Sequence, residues 1–375
     1  MYAERMRDIL KEKQPRNSCA IKTSIGGQAL MEGIMMRGPQ KTYMAVRNPQ
    51  GEIVIEEVAT SGKKRAKIWT LPVIRGVFGF VDSMTLGYKS LMRSAEIAGL
   101  EDMVEEKPKK KKEADAQENP AEATEDAPAA TEETQDADAK AEGEEEKKLP
   151  AWVMTLLMAV SVVIAVAISL GLFFYAPTKL YELLAGWIPA LKGSNPVLAS
   201  LWKSVFEGVF KIVLLVAYMG AISLMKDIRR TFMYHGAEHK TIFCYEAGLP
   251  LTVENVRTQR RFHPRCGTSF LILMLLVSIF ISFFIDPVTM LLFDGLVLPP
   301  VLRTVLRLAL FPLVMGIGYE LIRLAGRHDN VVTRIISLPG MWLQHITVFE
   351  PTDDMIECAI EAVNRVIPQD GSDRI

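Results

Sequence analysis

Four stretches of the chain are long and apolar enough to predict membrane-spanning helices. Residues 152–176 carry no charge over 25 residues, and residues 267–285 carry none over 19. Because about 20 helical residues cross the hydrocarbon core of a bilayer, we predict that both stretches span a membrane. Residues 204–225 and 304–322 are weaker candidates, since each carries two charged residues. Buried helices of a soluble protein are the alternative for these two.

The loops between the predicted spans differ in charge. Residues 226–266 contain eight lysines and arginines, whereas residues 177–203 contain three and residues 286–303 contain one. Short loops rich in Lys and Arg stay in the cytoplasm, so we predict that 226–266 and both termini are cytoplasmic. A short re-entrant or interfacial segment at 288–302 is an alternative to a plain loop. The pattern predicts a multipass protein of the cell membrane, surrounded by the lipid bilayer.

The region before the first predicted span has the pattern of β-structure. Residues 42–47 and 52–56 alternate roughly between apolar and polar positions around the turn-forming sequence Asn48–Gly51. This pattern predicts a β-hairpin. Residues 26–39 are apolar, rich in methionine and bounded by glycine, which predicts a further strand with turns. Residues 69–99 have apolar positions at near-helical spacing, which predicts an amphipathic helix on the membrane surface or on the helical bundle.

The segment after the last predicted span favours a small α/β unit. Residues 342–349 have the composition of a strand. Thr352 is placed to cap a helix whose first turn contains Asp353 and Asp354. The predicted apolar stripe of that helix consists of Met355, Ile356, Ala359, Ile360, Val363 and Val366.

Together these patterns predict an α-helical integral membrane protein of about four transmembrane helices with a small composite α/β cytoplasmic domain. The cytoplasmic domain would combine residues 20–65, the 226–266 loop and the C-terminal segment. The predicted regions are an N-terminal tail (1–19), a β-rich segment (20–67), the amphipathic helix (68–100), a linker (101–149), the transmembrane bundle (150–325) and a C-terminal strand–helix unit (326–375).

Charge is distributed unevenly along the chain. The 375 residues have a net charge of −1, but residues 101–149 contain 18 acidic and 8 basic residues, which leaves the remainder at +9. Residues 101–149 contain no aromatic side chain, and such segments bury too little apolar surface to offset chain entropy. We therefore predict a disordered linker there, with a binding role as the alternative. The four cysteines form no C-x-x-C pair, which favours a reducing compartment over a disulfide scaffold. Residues 1–16 lack the apolar region of a secretory signal.

The predicted cytoplasmic loop contains the pattern H-x-x-E-H. His235 and His239 are four residues apart, so both imidazoles can reach one metal ion from one face of a helix, and Glu238 could act as a general base. His263 and Cys266 follow and could complete a tetrahedral site for a divalent metal such as zinc. Two further carboxylates are candidate ligands: Glu246 and Glu320.

Structural hydrogen bonding is the alternative for this cluster. The pattern is short, and Gly236 inside it weakens a regular helix by about 1 kcal/mol. The histidines and Glu238 would then pair with nearby arginines and cap helices. The sequence shows no phosphate-binding glycine loop, no Ser/His/Asp pattern and no aromatic–basic stripe typical of nucleic-acid binding, so we expect no nucleic-acid partner.

Several longer motifs resemble the DUF1385 family, and the resemblance covers nearly the whole chain except the acidic linker. They are residues 26–39 (GGQALMEGIMMRGP), 234–240 (YHGAEHK), 263–270 (HPRCGTSF) and 339–344 (PGMWLQ). The resemblance implies a bacterial multipass membrane protein, sometimes labelled a predicted metal-dependent enzyme, a label that rests on the same His/Glu/Cys pattern. It also makes Glu32 and Arg37 candidates to meet the histidine loop.

Three functions are compatible with this sequence. The first is a membrane-embedded scaffold or accessory factor, acting in membrane-protein biogenesis or quality control with a membrane-protein partner or as a homo-oligomer. The second is a metal-dependent hydrolase that uses the H-x-x-E-H site. The third is transport through the bundle with Glu320 and Glu207, whose charges would be costly to bury without a role. Transport is the weakest of the three because four spans leave little room for a pathway.

Overall fold

The computed structural model describes residues 21–58, 71–100, 151–192, 195–294, 298–328 and 330–374. The predicted N-terminal tail (1–19) and acidic linker (101–149) lie outside the described residues. The chain divides into two units, residues 105–170 and the remainder. Of the smaller unit, the structure describes one helix, Ala151–Leu170.

The described elements form one small sheet and a larger set of helices. The strands are β1 (Gly26–Leu30), β2 (Gly33–Arg37), β3 (Thr42–Arg47) and β4 (Ile53–Glu57). The helices are α1 (Ile74–Ile97), α2 (Ala151–Leu170), α3 (Ala176–Trp187), α4 (Pro196–Ile222), α5 (Lys226–Glu246), α6 (Val253–Arg257), α7 (Gly267–Leu292), α8 (Pro300–Ala309), α9 (Phe311–Arg327), α10 (Val331–Thr347) and α11 (Asp353–Val366). A π-helical turn (Gly171–Tyr175) joins α2 to α3, and a 3-10 turn (Pro189–Lys192) follows α3.

The sheet is an antiparallel meander in the order β1-β2-β3-β4. β3 and β4 form the predicted hairpin, with Val46 opposite Val54. The single strand expected within 26–39 is two strands, because the chain turns back at Met31 and Glu32, and Glu32 has a φ of 52°. The methionine-rich segment therefore supplies two of the four strands.

Helices cover both faces of the sheet, so its middle strands are buried on both sides. Ile34 and Met36 pack with residues of α5 and α11, including Tyr234 and Met355. Met35, which points to the opposite face, packs against α1. An apolar run instead of an alternating pattern is typical of a strand buried on both faces. This packing explains the sequence of β2 and makes a three-layer α/β/α domain.

The amphipathic helix predicted at 69–99 and the helix predicted after Thr352 are both present, as α1 and α11. The predicted apolar stripe of α11 is buried along its whole length. Thr352 occupies the N-cap position of α11, but its side chain makes no capping hydrogen bond. α1 packs against β1, β3 and α9. α1 therefore packs on the sheet and on a helix of the bundle, while its apolar residues Val81 and Met84 remain exposed.

Among the described residues, three helical stretches are long and apolar enough to cross a membrane: 159–187, 197–222 and 267–292. A fourth span is present if α8 and α9, which meet at an angle of 44°, are counted as one broken span. α7 continues past the predicted end at residue 285 and contains Pro287. The fold is mostly helical, with membrane spans suggested by length and composition.

The prediction of a strand at 342–349 is wrong. Residues 342–347 are the last part of α10, which begins at a capping box between Asn330 and Thr333. Gly340 allows α10 to approach α7, since a Cβ there would lie 2.4 Å from the side chain of Ser269. Buried positions in α10 recur every three or four residues, which is the period of a helix. Packing against α7 therefore outweighs the preference of the β-branched residues in this segment for a strand.

Candidate metal centre

The H-x-x-E-H motif lies within α5, which is continuous from Lys226 to Glu246. Gly236 does not interrupt this helix. A Cβ at Gly236 would lie 2.0 Å from the carbonyl oxygen of Phe349. Glycine at this position therefore lets α5 approach the segment between α10 and α11, a packing reason that outweighs its low helix propensity.

The structure brings His235, His239 and Cys266 together. One possible ligand atom from each lies within 4.8 Å of the other two, and His235 Nε2 lies 3.1 Å from Cys266 Sγ. Cys266 is the N-cap of α7, which places its sulfur beside α5. Zinc bonds of about 2.0–2.3 Å in tetrahedral geometry separate the ligand atoms by about 3.5 Å. The three side chains therefore need only small shifts to bind one ion.

Hydrogen bonds orient both imidazoles for ligation. His235 Nδ1 donates to the carbonyl of Thr347 over 3.0 Å, and His239 Nδ1 donates to the carbonyl of Arg261 over 2.6 Å. Because a carbonyl only accepts, the Nδ1 atoms carry hydrogen, and in the neutral rings the Nε2 lone pairs are free. Ligating histidines usually have this arrangement. His239 Nε2 is buried and has no hydrogen-bond partner among the described residues.

Glu238 lies between the two histidines in sequence and faces the first strand. Its Oε1 accepts a hydrogen bond from the Gly27 N–H over 3.0 Å. Its Oε2 is buried without a hydrogen-bond partner in the described part of the chain. Burial raises the pKa of Glu238 above its usual value despite the opposing effect of His235 and His239. A carboxylate with a raised pKa is a better proton acceptor, as a general base requires.

The electrostatics of the cluster favour a thiolate. Burial alone would raise the pKa of Cys266, but the neighbouring imidazoles of His235 and His239 outweigh it and hold that pKa well below its usual range. Conversely, burial would lower the pKa of His235, but Cys266 and Glu238 raise that pKa to about 9. The thiolate is the form of cysteine that binds a metal, and a bound metal would displace the proton from His235.

His263 lies beside this group but makes different contacts. Its Nδ1 accepts from the Arg265 N–H over 3.2 Å, so its Nε2 carries hydrogen and faces Glu246 Oε2 at 3.8 Å. Burial lowers the pKa of His263 to about 4, so the ring is neutral at pH 7. The ring centroids of His263 and His239 are 5.6 Å apart. The structure thus places His263 next to the three candidate ligands, with its buried Nε2 facing Glu246 but without a hydrogen-bond partner among the described residues.

The other carboxylates singled out from the sequence lie away from the three candidate ligands. Glu246 also forms an ion pair with Arg265 and accepts from the Thr23 N–H. Glu32 pairs with Arg230 at 2.7 Å. Arg230 precedes the histidine motif on α5, so Glu32 contacts this helix on the N-terminal side of the motif.

The charged residues of the candidate spans have partners. Glu320 pairs with Arg75 of α1 at 2.5 Å. Glu207 lies four residues before Lys211 on α4, but it pairs with Arg307 of α8 at 2.7 Å. The Lys211 ammonium lies over the ring of Phe174, 5.1 Å from its centroid. The ion pair thus forms between helices and not within one helix.

Sequence reasoning missed several residues that support the site. Gln344 binds the backbone of His263 on both sides, accepting from its N–H over 2.8 Å and donating to its carbonyl over 2.7 Å. Gln344 and Gly27 fall within two of the longer motifs, which is a signal that could have found them. Thr347 and Arg261 act through their carbonyl oxygens, and no side-chain pattern marks such a role.

A cleft of about 620 Å³ lies beside the candidate centre. Glu238, His239 and His263 form part of its wall. Other parts come from β1, from Arg37 at the end of β2, from α1 and from the last turns of α9. Arg37 therefore lines the same cleft as Glu238 and His239 of the histidine motif.

Comparison with known proteins matches this chain to one family. The family model described as "Protein of unknown function (DUF1385)" matches residues 71–369. The chain belongs to the DUF1385 family. The uncharacterised protein YqhQ of Bacillus subtilis (strain 168) is 31% identical to this DUF1385 protein over 351 residues, which cover 91% of this chain and 92% of YqhQ. No solved structure matches the chain.

The part matched by the DUF1385 model contains α5, Cys266 and Gln344, and it begins after the four strands. The alignment with YqhQ extends over more of the chain. Because the family description assigns no activity, the function of this DUF1385 protein has to be argued from the geometry of its site.

Proposed function

We propose that this DUF1385 protein is a membrane metal-dependent hydrolase. His235, His239 and Cys266 would bind a divalent metal such as zinc, and Glu238 would act as the general base. The observation that carries the proposal is the three-residue ligand group in which both imidazoles donate Nδ1–H to backbone carbonyls. That arrangement leaves the Nε2 atoms and the Cys266 sulfur as the available donor set.

Three protein ligands are typical of catalytic zinc sites, since the fourth position is left for water or substrate. A bound metal would lower the pKa of such a water to about 7. Glu238 would accept the proton of that water through its unpartnered Oε2 and pass it to the leaving group. Gly27 would keep the carboxylate in place by its hydrogen bond to Oε1. The cleft beside Glu238 and His239 would admit the substrate.

A scaffold or accessory factor in membrane-protein biogenesis or quality control is the alternative function. It would require a membrane-protein partner or a second copy of the chain. The most exposed large apolar side chains include Trp187, Leu224 and Leu291 on or beside the candidate spans, where lipid contact accounts for them equally well. Transport has less support, because Glu207 and Glu320 are each bound in an ion pair.

Metal content tests the proposal directly. The full chain would be purified in detergent without chelators, and zinc, iron and manganese would be measured per chain. We expect about one metal ion in the wild type and loss of the ion in His235→Ala, His239→Ala and Cys266→Ser. His345→Ala, which changes an exposed histidine outside the centre, is the matched control and should retain the metal. Wild-type protein without stoichiometric metal would overturn the hydrolase proposal.

Glu238→Gln separates catalysis from a structural metal site. The variant should bind metal as the wild type does, yet fail to complement a deletion strain, because glutamine cannot accept the proton. If Glu238→Gln complements fully, the metal has a structural role and the scaffold function is favoured. In that case, crosslinking with mass spectrometry should return one dominant membrane partner.

A further inference from the structure

We propose that the substrate of this centre is a phosphate ester, whose phosphate binds Arg37, Arg323 and Arg327 in the cleft beside Glu238. The inference rests on the proposed hydrolase function for the reaction, and on the cleft alone for the binding. It names the chemical class of substrate that the metal centre itself leaves open.

The cleft is lined by an excess of positive charge. Four arginines contribute to its wall, whereas Glu238 is the one carboxylate among the described lining residues. Two of the arginines, Arg323 and Arg327, are four residues apart on α9 and so share one face of that helix. Arg37 reaches the same cleft from the end of β2. Guanidinium groups thus approach one space from two separate elements.

Ion pairing distinguishes one arginine from the other three. Arg265 pairs with Glu246 and donates to the carbonyl of Thr23, so it supports the structure of the wall. Within the described ranges, no carboxylate forms an ion pair with Arg37, Arg323 or Arg327. Glu320, the acidic residue nearest to Arg323 in sequence, interacts with the charge of Arg323 but forms its ion pair with Arg75. Three guanidinium groups of the cleft therefore remain available to an anion.

A phosphate fits three available arginines better than the other common substrates of metal hydrolases. Guanidinium groups bind phosphate oxygens through paired, charge-assisted hydrogen bonds. A phosphate monoester carries up to two negative charges, whereas a peptide bond is neutral and would leave the arginines uncompensated. In the proposed reaction, the oxygen of water forms a bond to phosphorus as the ester P–O bond breaks. The proton moves from water to Glu238 and then to the leaving oxygen.

The position of the cleft in the fold makes two sources of phosphate relevant. Its wall includes Gly267, where α7 begins, and Arg327, where α9 ends. Both helices are among the candidate membrane spans. With α7 and α9 across a bilayer, the ends of these helices and the cleft between them lie at the level of the lipid headgroups. At that level the cleft is open to lipid headgroups and to solutes in water. A phospholipid headgroup and a soluble phosphate ester share the chemistry that the arginines recognise.

Three matched ligands test the inference with the full chain in detergent. Dihexanoyl phosphatidic acid has both phosphate and acyl chains, dihexanoylglycerol lacks the phosphate, and glycerol 3-phosphate lacks the acyl chains. Binding would be measured by calorimetry for wild type, Arg37→Gln, Arg323→Gln and Arg327→Gln. Lys89→Gln, which removes an exposed positive charge from α1 outside the cleft wall, is the control. The content of zinc, iron and manganese would be measured in every sample.

We expect each arginine variant to weaken binding of dihexanoyl phosphatidic acid by about tenfold, while Lys89→Gln leaves it unchanged. Glycerol 3-phosphate binding as tightly as the lipid would identify a soluble substrate, and much weaker binding would identify a lipid headgroup. Equal binding of dihexanoylglycerol, or unchanged binding in all three arginine variants, would overturn the inference. Arginine-dependent phosphate binding by protein that holds no zinc, iron or manganese would overturn only the hydrolase function, so the two failures are distinguishable.

Discussion

Buried charged groups have oppositely charged partners between the candidate spans but not throughout the candidate metal centre. Between the candidate spans, Glu207 pairs with Arg307 and Asp286 pairs with Arg303, each at 2.7 Å. Some atoms of these side chains make no hydrogen bond, but every one of the four side chains has an oppositely charged partner. In the metal centre, Glu238 Oε2 and the Nε2 of His239 are buried with neither a hydrogen bond nor an ion-pair partner among the described residues. Buried polar atoms are normally satisfied, so these two atoms of the candidate centre are available to bind a ligand, whereas the charged groups between the spans already bind one another.

Breaking a pair between the helices should have the largest effect on stability. Arg307→Met removes the ion-pair partner of the buried Glu207 carboxylate, which keeps only its hydrogen bond from the Thr178 hydroxyl and the nearby charge of Lys211. We therefore expect the free energy of unfolding to fall by about 3 kcal/mol. Unfolding in mixed detergent micelles would measure it. The double variant with Glu207→Met should recover most of the loss, because an apolar pair replaces an ionic one. Equal stability of the single and double variants would contradict the structural role of the pair.

Supplying the ligand should stabilise the metal centre by a comparable amount. Zinc at about 100 times its dissociation constant should raise the free energy of unfolding by about 2.7 kcal/mol, since it binds the folded state. Thermal unfolding of chelator-treated protein, with and without added zinc, would show the shift. His239→Ala should abolish the response and His345→Ala should retain it. A response that survives in His239→Ala would place the metal elsewhere.

The close approach behind the centre gives a smaller effect. Gly236→Ala places a Cβ within 2.0 Å of the Phe349 carbonyl, and because that neighbour is backbone, we expect a cost of about 1–3 kcal/mol. Gly220→Ala in α4 is the matched control, because a Cβ there meets nothing within 4 Å. That variant should be unchanged or up to about 1 kcal/mol more stable. Similar unfolding curves for the two alanine variants would argue against the contact.

The smallest change in stability is expected at Glu238, in contrast to the buried pairs. In metal-free protein, Glu238→Gln keeps the acceptor for the Gly27 N–H and removes a carboxyl group that burial penalises. The free energy of unfolding should change by less than about 1 kcal/mol and should not fall. The same unfolding assay measures it beside Arg307→Met. A loss as large as that of Arg307→Met would mean that Glu238 is a structural charge.

Local sequence pattern predicted the parts of the fold that depend on local contacts. The hairpin of β3 and β4 follows from alternation around a turn, and α11 follows from its apolar stripe. The end of α10 could not be predicted as helix, because its composition favours a strand and only packing against α7 decides otherwise. The partner of Glu207 likewise depends on a helix 100 residues away in sequence.

The centre was predictable to the same limited extent. Spacing alone placed His235 and His239 on one face of a helix, and Cys266 was among the four ligands proposed. The structure groups Cys266, and not His263, with His235 and His239, and the Nε2 of His263 faces Glu246 instead. The backbone carbonyls that orient the imidazoles could not be predicted, because the pattern of side chains does not show which carbonyls will be nearby. These depend on the path of the chain near Thr347 and Arg261, which long-range packing sets.

The three-layer domain combines residues from both ends of the chain, so it can be completed only after the last helix has been synthesised. The Thr23 hydroxyl donates to Asp373, a contact that joins residues 350 positions apart. At about 5–20 residues per second, roughly 20–70 s of ribosomal synthesis separates the two. During that interval the methionine-rich sheet lacks the covering helix α11, while the candidate spans are still being produced. Ile34 and Met36 therefore remain without their covering helix until Asp353–Val366, near the end of the chain, have been synthesised.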